Sequence, residues 1–235
     1  KPLRELAQGK QQVVIIFDDM SRITRTEALA QAVLKELAAA GISDKQIRFV
    51  CALGCHGALT RSDFVKKLGV DILARFPVYN HNPFGNCVSV GKTTTYGTEV
   101  LVNAEVMSCD LKIALGLAVP HPMSGFGGGG KIILPGVTAF ETTKHNHQKT
   151  HHDMSTMRGK LGTGRFDENP MRMDIEEAAL LSGLDFIINV LVNNMGETAG
   201  IFAGALQPAY TEAVKAAKAH YLTPRVNDKN IAIAN

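Results

Sequence analysis

The sequence lacks several features that would assign it to a class at once. No apolar run approaches the roughly 20 residues of a membrane-spanning helix, and no signal-peptide pattern opens the chain. The formal net charge is only +3, and acidic residues lie among the lysines and arginines, so no basic surface for nucleic acid is predicted. We therefore expect small-molecule ligands, and neither a membrane nor a nucleic acid as partner.

The four cysteines show no C-x-x-C spacing; they are Cys51, Cys55, Cys87 and Cys109. We interpret them as reduced thiols and expect a cytoplasmic protein rather than a disulfide framework. The dinucleotide fingerprint is also missing, because no G-x-G-x-x-G follows the first apolar run at residues 13–17. Its absence disfavours a nicotinamide dehydrogenase.

The composition is that of an ordinary globular domain, with 45% hydrophobic and 20% charged residues in a chain of 235. We find no internal repeat and no low-complexity segment, and we expect one α/β domain over residues 1–235. The chain begins at Lys1 and stops just after residues 231–234, which resemble the start of a strand. We therefore expect a piece of a longer protein.

The first part of the chain alternates predicted strands and helices. Residues 13–17 and 48–53 are apolar runs typical of buried strands. Thr24 with Glu27 has the form of a capping box for a helix that ends at Gly41, and Thr60 with Asp63 predicts the start of another helix. This alternation is typical of a parallel sheet.

The same pattern continues towards the C-terminus. Strands are predicted at residues 111–119 and 186–192, and helices at 137–152, from Asn169-Pro170 to Leu181, and from Pro208 to about His220. Residues 77–97 suggest loop and short strands, 100–109 include a short helix, and 159–167 form an exposed connection. The predicted fold class is α/β, with a Rossmann-like, mostly parallel sheet flanked by helices.

Polar residues follow the predicted strands where an α/β sheet binds its ligands, at the carboxyl ends. Asp19 and Arg22 follow the first strand, His56 the second and His121 the third. His56 and His121 can face each other across a cleft and exchange protons from two sides, or they can be two hydrogen-bonded loop histidines. Asp19 and Arg22 can form a surface ion pair, or contact the ribose and phosphate of a nucleotide.

A glycine-rich stretch at residues 119–136 contains four consecutive glycines, Gly127 to Gly130, followed by Lys131. Such a backbone can lie close to a flat or phosphorylated ligand, or serve as a flexible hinge. The run from Gly125 to Lys131 also fits the phosphate loop G-x-x-x-x-G-K. Ile132 stands where that loop needs Ser or Thr, and Pro135 would break the following helix, so we reject a nucleoside triphosphatase.

Four of the eight histidines lie in the predicted helix at residues 137–152. His147 and His151 are one helical turn apart, so they can bind a metal ion jointly or belong to a solvated polar face. The spacing leaves open whether His145, His151 or His152 contributes to a metal site.

Taken together, these residues closely resemble the nickel-dependent lactate racemase family. The resemblance covers roughly residues 10–205. It rests on these motifs in chain order: Asp19-x-x-Arg22, Gly54-x-His56, His121, Ser124-Gly-Phe-Gly-Gly-Gly-Gly-Lys131, Leu134-Pro-Gly136, Asn146-His147, Asn169-Pro170 and Glu176-Glu177.

The resemblance implies a cofactor and roles for six residues. The cofactor is a nickel pincer nucleotide, the nickel complex of pyridinium-3-thioamide-5-thiocarboxylic acid mononucleotide. By motif, Lys131 is tethered to it through a thioamide and His147 completes the nickel coordination. His56 and His121 are the two acid/base groups, while Asp19 and Arg22 hold the ribose and phosphate. The glycines then make room for the flat ring.

The resemblance also implies a reaction, the racemisation or epimerisation of a 2-hydroxy acid. One histidine removes the hydroxyl proton while the α-hydrogen leaves as hydride, and the planar keto acid takes hydride back on either face. The family's second α/β domain, which completes the active-site cleft, is expected to be missing from this chain. Gly57 departs from the basic residue that many members carry after the first histidine, so the substrate, lactate or a relative, is open. The alternative is a non-catalytic nucleotide- or metal-binding domain.

Overall fold

The computed structural model describes residues 1–152, 159–223, 227–228 and 231, with backbone only for 151–152. The side chains of His151 and His152 lie outside the described part, and so does the possible metal-ligand pair of His147 with His151. Most of the strand expected at residues 231–234 also lies outside it.

The described residues form eight α-helices and ten strands in addition to short 3₁₀ turns. The helices are α1 Leu3–Ala7, α2 Thr26–Ala39, α3 Arg61–Leu68, α4 Val70–Arg75, α5 Ala104–Met107, α6 Phe140–His152, α7 Pro170–Leu181 and α8 Leu206–His220. The strands are β1 Val13–Asp18, β2 Ile47–Ala52, β3 Val78–Asn80, β4 Cys87–Lys92, β5 Glu99–Asn103, β6 Leu111–Leu117, β7 Pro120–His121, β8 Gly125–Phe126, β9 Phe186–Val192 and β10 Thr198–Gly204.

A central sheet in the order β10-β9-β6-β1-β2-β3 organises the described part of the chain. Its strands run parallel except β10, which is antiparallel to β9. This confirms the predicted α/β class with a mostly parallel sheet flanked by helices. The chain leaves β1 towards β2 on one side, and β6 pairs with β1 on the other. Their carboxyl ends therefore border a crevice at a topological switch point, the place where such sheets bind ligands.

Apolar side chains cover both faces of the sheet, because β1, β6 and β9 are buried along their whole length. Ile15 and Phe17 of β1 pack with α2 and α3 on one face. Val14 and Ile16 pack with α7 and α8 on the other. The continuous apolar runs in the sequence follow from this two-sided burial.

The capping box predicted at Thr24 and Glu27 is wrong. Helix α2 begins at Thr26, and no side chain caps it. The Thr24 hydroxyl donates instead to the Asp18 carboxylate, because both groups are buried beside the end of β1. The predicted cap of Thr60 and Asp63 is confirmed at α3, as is Asn169 at α7.

Other differences concern element ends and elements that the sequence analysis did not predict, namely α1, α4, β5 and β10. Helix α6 begins at Phe140 rather than at residue 137, since the preceding residues run beside β5 and Thr138 pairs with Val102. Strand β6 ends at Leu117, and helix α8 begins at Leu206. The sequence analysis missed β10, a largely solvent-facing edge strand without a buried apolar run. No helix within the described ranges is long and apolar enough to cross a bilayer.

Candidate active site

A cavity of about 210 Å³ opens at the carboxyl ends of β1, β2 and β6. All six residues that the sequence analysis selected line it: Asp19, Arg22, His56, His121, Lys131 and His147. They come from four separate parts of the chain, and the parallel register of the three strands brings these parts together.

A buried lysine shapes the loop after β1. Lys67 of α3 is only 5% exposed. Its ammonium pairs with the Asp18 carboxylate at 2.7 Å and donates to the carbonyls of Asp19 at 3.0 Å and Arg22 at 2.8 Å. Burial raises the pKa of the Asp18 carboxyl, and the Lys67 charge opposes that rise. The loop that carries Asp19 and Arg22 is therefore fixed to α3 through Lys67.

Asp19 orients His56. Its Oδ2 lies 2.5 Å from His56 Nδ1, and its Oδ1 accepts from the Ser21 backbone N–H at 3.0 Å. Burial acts to raise the pKa of the Asp19 carboxyl, but the hydrogen bonds from Ser21 and His56 outweigh it and the pKa lies below its ordinary value. A carboxylate can only accept, so Nδ1 of His56 carries the proton and the Nε2 lone pair points away from Asp19.

His121 has the opposite proton arrangement. Its Nδ1 accepts from the backbone N–H groups of Ser124 at 3.2 Å and Met123 at 3.3 Å, so the neutral ring carries its proton on Nε2. Burial, followed by the charges of Lys131 and Arg22, lowers the pKa of His121 to about 3. The ring is therefore a neutral N–H donor at physiological pH.

Lys131 faces His121, with 3.5 Å between its Nζ and the ring Nε2. Burial, together with the charges of Arg172 and Arg22, lowers the pKa of Lys131 to about 7. A large fraction of the amine is neutral near pH 7, and a neutral amine is a nucleophile that can form an amide-type bond.

His147 lies on α6, where its Nδ1 donates to the Thr143 carbonyl at 2.9 Å. That bond places the ring lone pair on Nε2, the arrangement common among metal-binding histidines. The preceding Asn146 anchors α6 by donating to the buried Asp174 at 2.7 Å. His145 contacts the Tyr96 carbonyl at 3.2 Å instead.

The described side chains contain no cluster of three or more His, Cys, Asp or Glu that could hold a metal ion. The alternative of an Asp19–Arg22 ion pair is wrong, because among the described ion pairs the Asp19 carboxylate is joined to His56. Arg22 contacts Ser21 through its guanidinium and lines the cavity.

The glycine run is tightly packed within the protein. A Cβ on Gly128 would lie 2.0 Å from Asn189 Oδ1, and one on Gly129 would lie 2.6 Å from the Tyr210 ring. On Gly127 and Gly130 it would meet protein backbone within about 3.0 Å, at 3.0 and 2.9 Å. The glycines are thus required by contacts with β6, β9, α7 and α8, which corrects the hinge interpretation. Gly127 and Gly128 also line the cavity, so the close approach of a flat ligand to their backbone stays a prediction.

The last two glycines and the two residues after them form a single 3₁₀ turn, Gly129–Ile132, and no α-helix. A phosphate loop needs the N-terminus of a helix at this place, so the rejection of a triphosphatase is confirmed. The sequence analysis missed Lys67 and Arg172, which hold the two loops of the site. For Arg172 a signal was present, because it lies between Asn169 and Glu176 on one helical face.

Comparison with known proteins decides the family. Residues 1–158 match the sequence profile of the lactate racemase N-terminal domain. The chain belongs to this family. The lactate racemase of Lactiplantibacillus plantarum is 30% identical over 234 residues, which is 99% of this chain and 54% of that protein. The lactate racemase of Thermoanaerobacterium thermosaccharolyticum is 29% identical over 212 residues, 89% of this chain and 48% of that protein.

Solved structures agree with the lactate racemase fold. The lactate racemase apoprotein from T. thermosaccharolyticum superposes with a TM-score of 0.84 at 26% identity, over 92% of this chain and 51% of that one. A Thermotoga maritima protein solved by a structural genomics consortium shares the fold, with a TM-score of 0.74 at 23% identity over 92% of this chain and 58% of that one. The chain spans about half the length of the curated lactate racemases it matches.

Proposed function

We propose that the protein containing this chain is an isomerase that racemises or epimerises a small 2-hydroxy acid, with lactate as the first substrate to test. The observation that carries the proposal is the pair of histidines with opposite proton arrangements in one cavity, in a member of the lactate racemase family. His56 presents a lone pair at Nε2 and accepts the substrate hydroxyl proton, while His121 presents N–H at Nε2 and donates.

The cofactor is proposed to be the nickel pincer nucleotide, and the residues present fit it. Lys131 supplies a partly neutral amine for the tether, His147 offers a lone pair on Nε2 to nickel, and Arg22 supplies a cation for the phosphate. When bound, the cofactor supplies a reversible acceptor for the α-hydrogen as hydride.

Asp19 has two proposed contacts that compete. The resemblance assigns it to the ribose, whereas its carboxylate is bonded to Ser21 and His56. We propose that its main role is to orient His56, and the Asp19→Asn substitution separates the two roles.

We also propose a second domain and a cellular compartment for the protein. A second domain, encoded beyond this chain, would cover the cavity and add substrate contacts. A reducing compartment such as the cytoplasm suits the four cysteines, which are all free thiols.

The test is interconversion of D- and L-lactate by the full-length protein made together with the cofactor-synthesis enzymes. We expect racemisation, nickel in the purified protein and a mass adduct on Lys131. His56→Ala and His121→Ala should abolish racemisation while the adduct stays in place. Nickel or nucleotide binding without any change of enantiomer would support the alternative of a non-catalytic binding domain, and full activity in either variant would refute the two-histidine mechanism.

A further inference from the structure

One face of α7 forms hydrogen bonds to the loop between His121 and Lys131. Asn169, Arg172 and Glu176 are spaced three and four residues apart and so lie on the same side of the helix. Asn169 donates to the Met123 carbonyl at 2.9 Å, and Glu176 accepts from the Gly130 N–H at 3.2 Å. Between them, Arg172 makes most of the contacts.

Arg172 is 2% exposed, and its guanidinium donates to three carbonyls of the loop. These are Ser124 at 3.3 Å, Gly128 at 3.2 Å and Phe126. The guanidinium also forms an ion pair with Glu176, with 2.9 Å between Arg172 Nη1 and Glu176 Oε1, and its Cζ lies 4.9 Å from the centroid of the Tyr210 ring. Tyr210 in turn donates to the Gly127 carbonyl at 2.7 Å.

The carbonyls that Arg172 binds belong to the same segment whose backbone N–H determines which ring nitrogen of His121 carries the proton. Ser124 donates its N–H to His121 Nδ1 and its carbonyl accepts from Arg172. A planar guanidinium can reach several carbonyls in different directions at once, whereas an ammonium is a single point. The Arg172 charge also acts to lower the pKa of both Lys131 and His121.

We propose that Arg172 is a positioning residue that fixes residues 124–128, so that His121 keeps its Nε2–H facing the Lys131 amine. Arg172 lies outside the residues that line the cavity and acts through the loop. The proposal deepens the proposed function, but its main readout, the proton position on His121, does not depend on turnover.

The experiment uses ¹⁵N NMR of the histidine rings in the cofactor-free protein, which reports the tautomer of each ring. Arg172→Lys keeps the charge beside Glu176, and Arg172→Met removes it. We expect a single Nε2–H tautomer for His121 in the unchanged protein. Both variants should shift the tautomer ratio towards Nδ1–H by about fivefold or more, the size expected for a weakened hydrogen bond. In the loaded enzyme, Arg172→Lys should lower kcat at least as much with little change in KM.

The matched control is Arg75→Met, which removes an exposed arginine paired with Asp44 far from the loop and should leave the His121 tautomer unchanged. A folded Arg172→Lys protein with the original tautomer and kcat would overturn the proposal. If Arg172→Met does not fold, Arg172→Lys decides; if neither folds, the arginine serves folding rather than positioning and the proposal is wrong. An altered tautomer in a protein that racemises no hydroxy acid would keep the positioning role and refute the proposed function.

Discussion

At the scale of single residues, three imidazoles line one cavity with their protons on different ring atoms. His56 and His147 carry the proton on Nδ1 because a carboxylate and a carbonyl accept it, whereas His121 accepts backbone N–H groups there. Each ring that lines the cavity thus has a defined donor and a defined acceptor nitrogen. The residue types were predictable from the sequence, but these partners were not, because each partner comes from the local backbone path or from another loop.

The first prediction concerns Asp19→Asn. The change keeps the shape but removes the carboxylate oxygen that accepts from His56 Nδ1 and orients the ring, so kcat should fall at least about tenfold. Steady-state lactate racemisation measures the fall, with Asp44→Asn, which alters an exposed pair with Arg75, as control.

A specific result would reverse the assignment of Asp19. If Asp19→Asn protein lacks the Lys131 adduct while the adduct-bearing fraction turns over at the original rate, then the carboxylate serves the ribose rather than His56.

At the scale of secondary-structure elements, two helices hold the two loops of the site through buried cations. Helix α3 uses Lys67 for the loop after β1, and α7 uses Arg172 for the glycine loop. Helix positions were predictable from caps and apolar spacing at Thr60 and Asn169. The contacts of Lys67 and Arg172 with the loops were not predictable, because a lysine or arginine on a helix is usually solvated and only the tertiary structure shows that these two are buried.

The second prediction concerns Lys67→Met in α3. Removing the cation leaves the Asp18 carboxylate buried without its partner, which should lower the free energy of unfolding by about 3 to 5 kcal/mol at pH 7. The loss should shrink as the pH falls, because burial already raises the pKa of Asp18 and protonation removes the unpaired charge.

Urea unfolding at pH 7 and at pH 5 measures both effects. Lys66→Met on the exposed side of the same helix is the control and should change stability by less than about 0.5 kcal/mol. Equal losses at the two pH values would show that Asp18 is not the source.

At the scale of the whole molecule, the site lowers the stability of the fold. Burial and neighbouring cations lower the pKa of Lys131 to about 7 and that of His121 to about 3. A base whose pKa is lower in the folded state destabilises that state wherever the unfolded chain holds the extra proton. For Lys131 this cost is full below pH 7 and disappears as the pH rises towards the unfolded value of 10.5.

The third prediction is that Lys131→Met stabilises the cofactor-free protein. The gain should reach a few kcal/mol at pH 6, because one pKa unit corresponds to about 1.4 kcal/mol, and it should approach zero near pH 10. Thermal melting across this range measures it, with Lys35→Met on the exposed face of α2 as control. A gain that does not vary with pH would point to packing rather than charge.

The sequence alone determined the buried strands β1, β2, β6 and β9, the longer helices and most of the site, since buried parallel strands need continuous apolar runs and the polar residues after them meet at one sheet edge. It determined the family through motifs that contain Lys131 and the three histidines. Only the tertiary structure decided which contacts require the glycines, which ring nitrogen of each histidine carries the proton, and that Lys67 and Arg172 fix the two loops. These features depend on contacts between distant parts of the chain, such as Gly129 with Tyr210 and Asp19 with His56, and periodicity carries no record of such contacts.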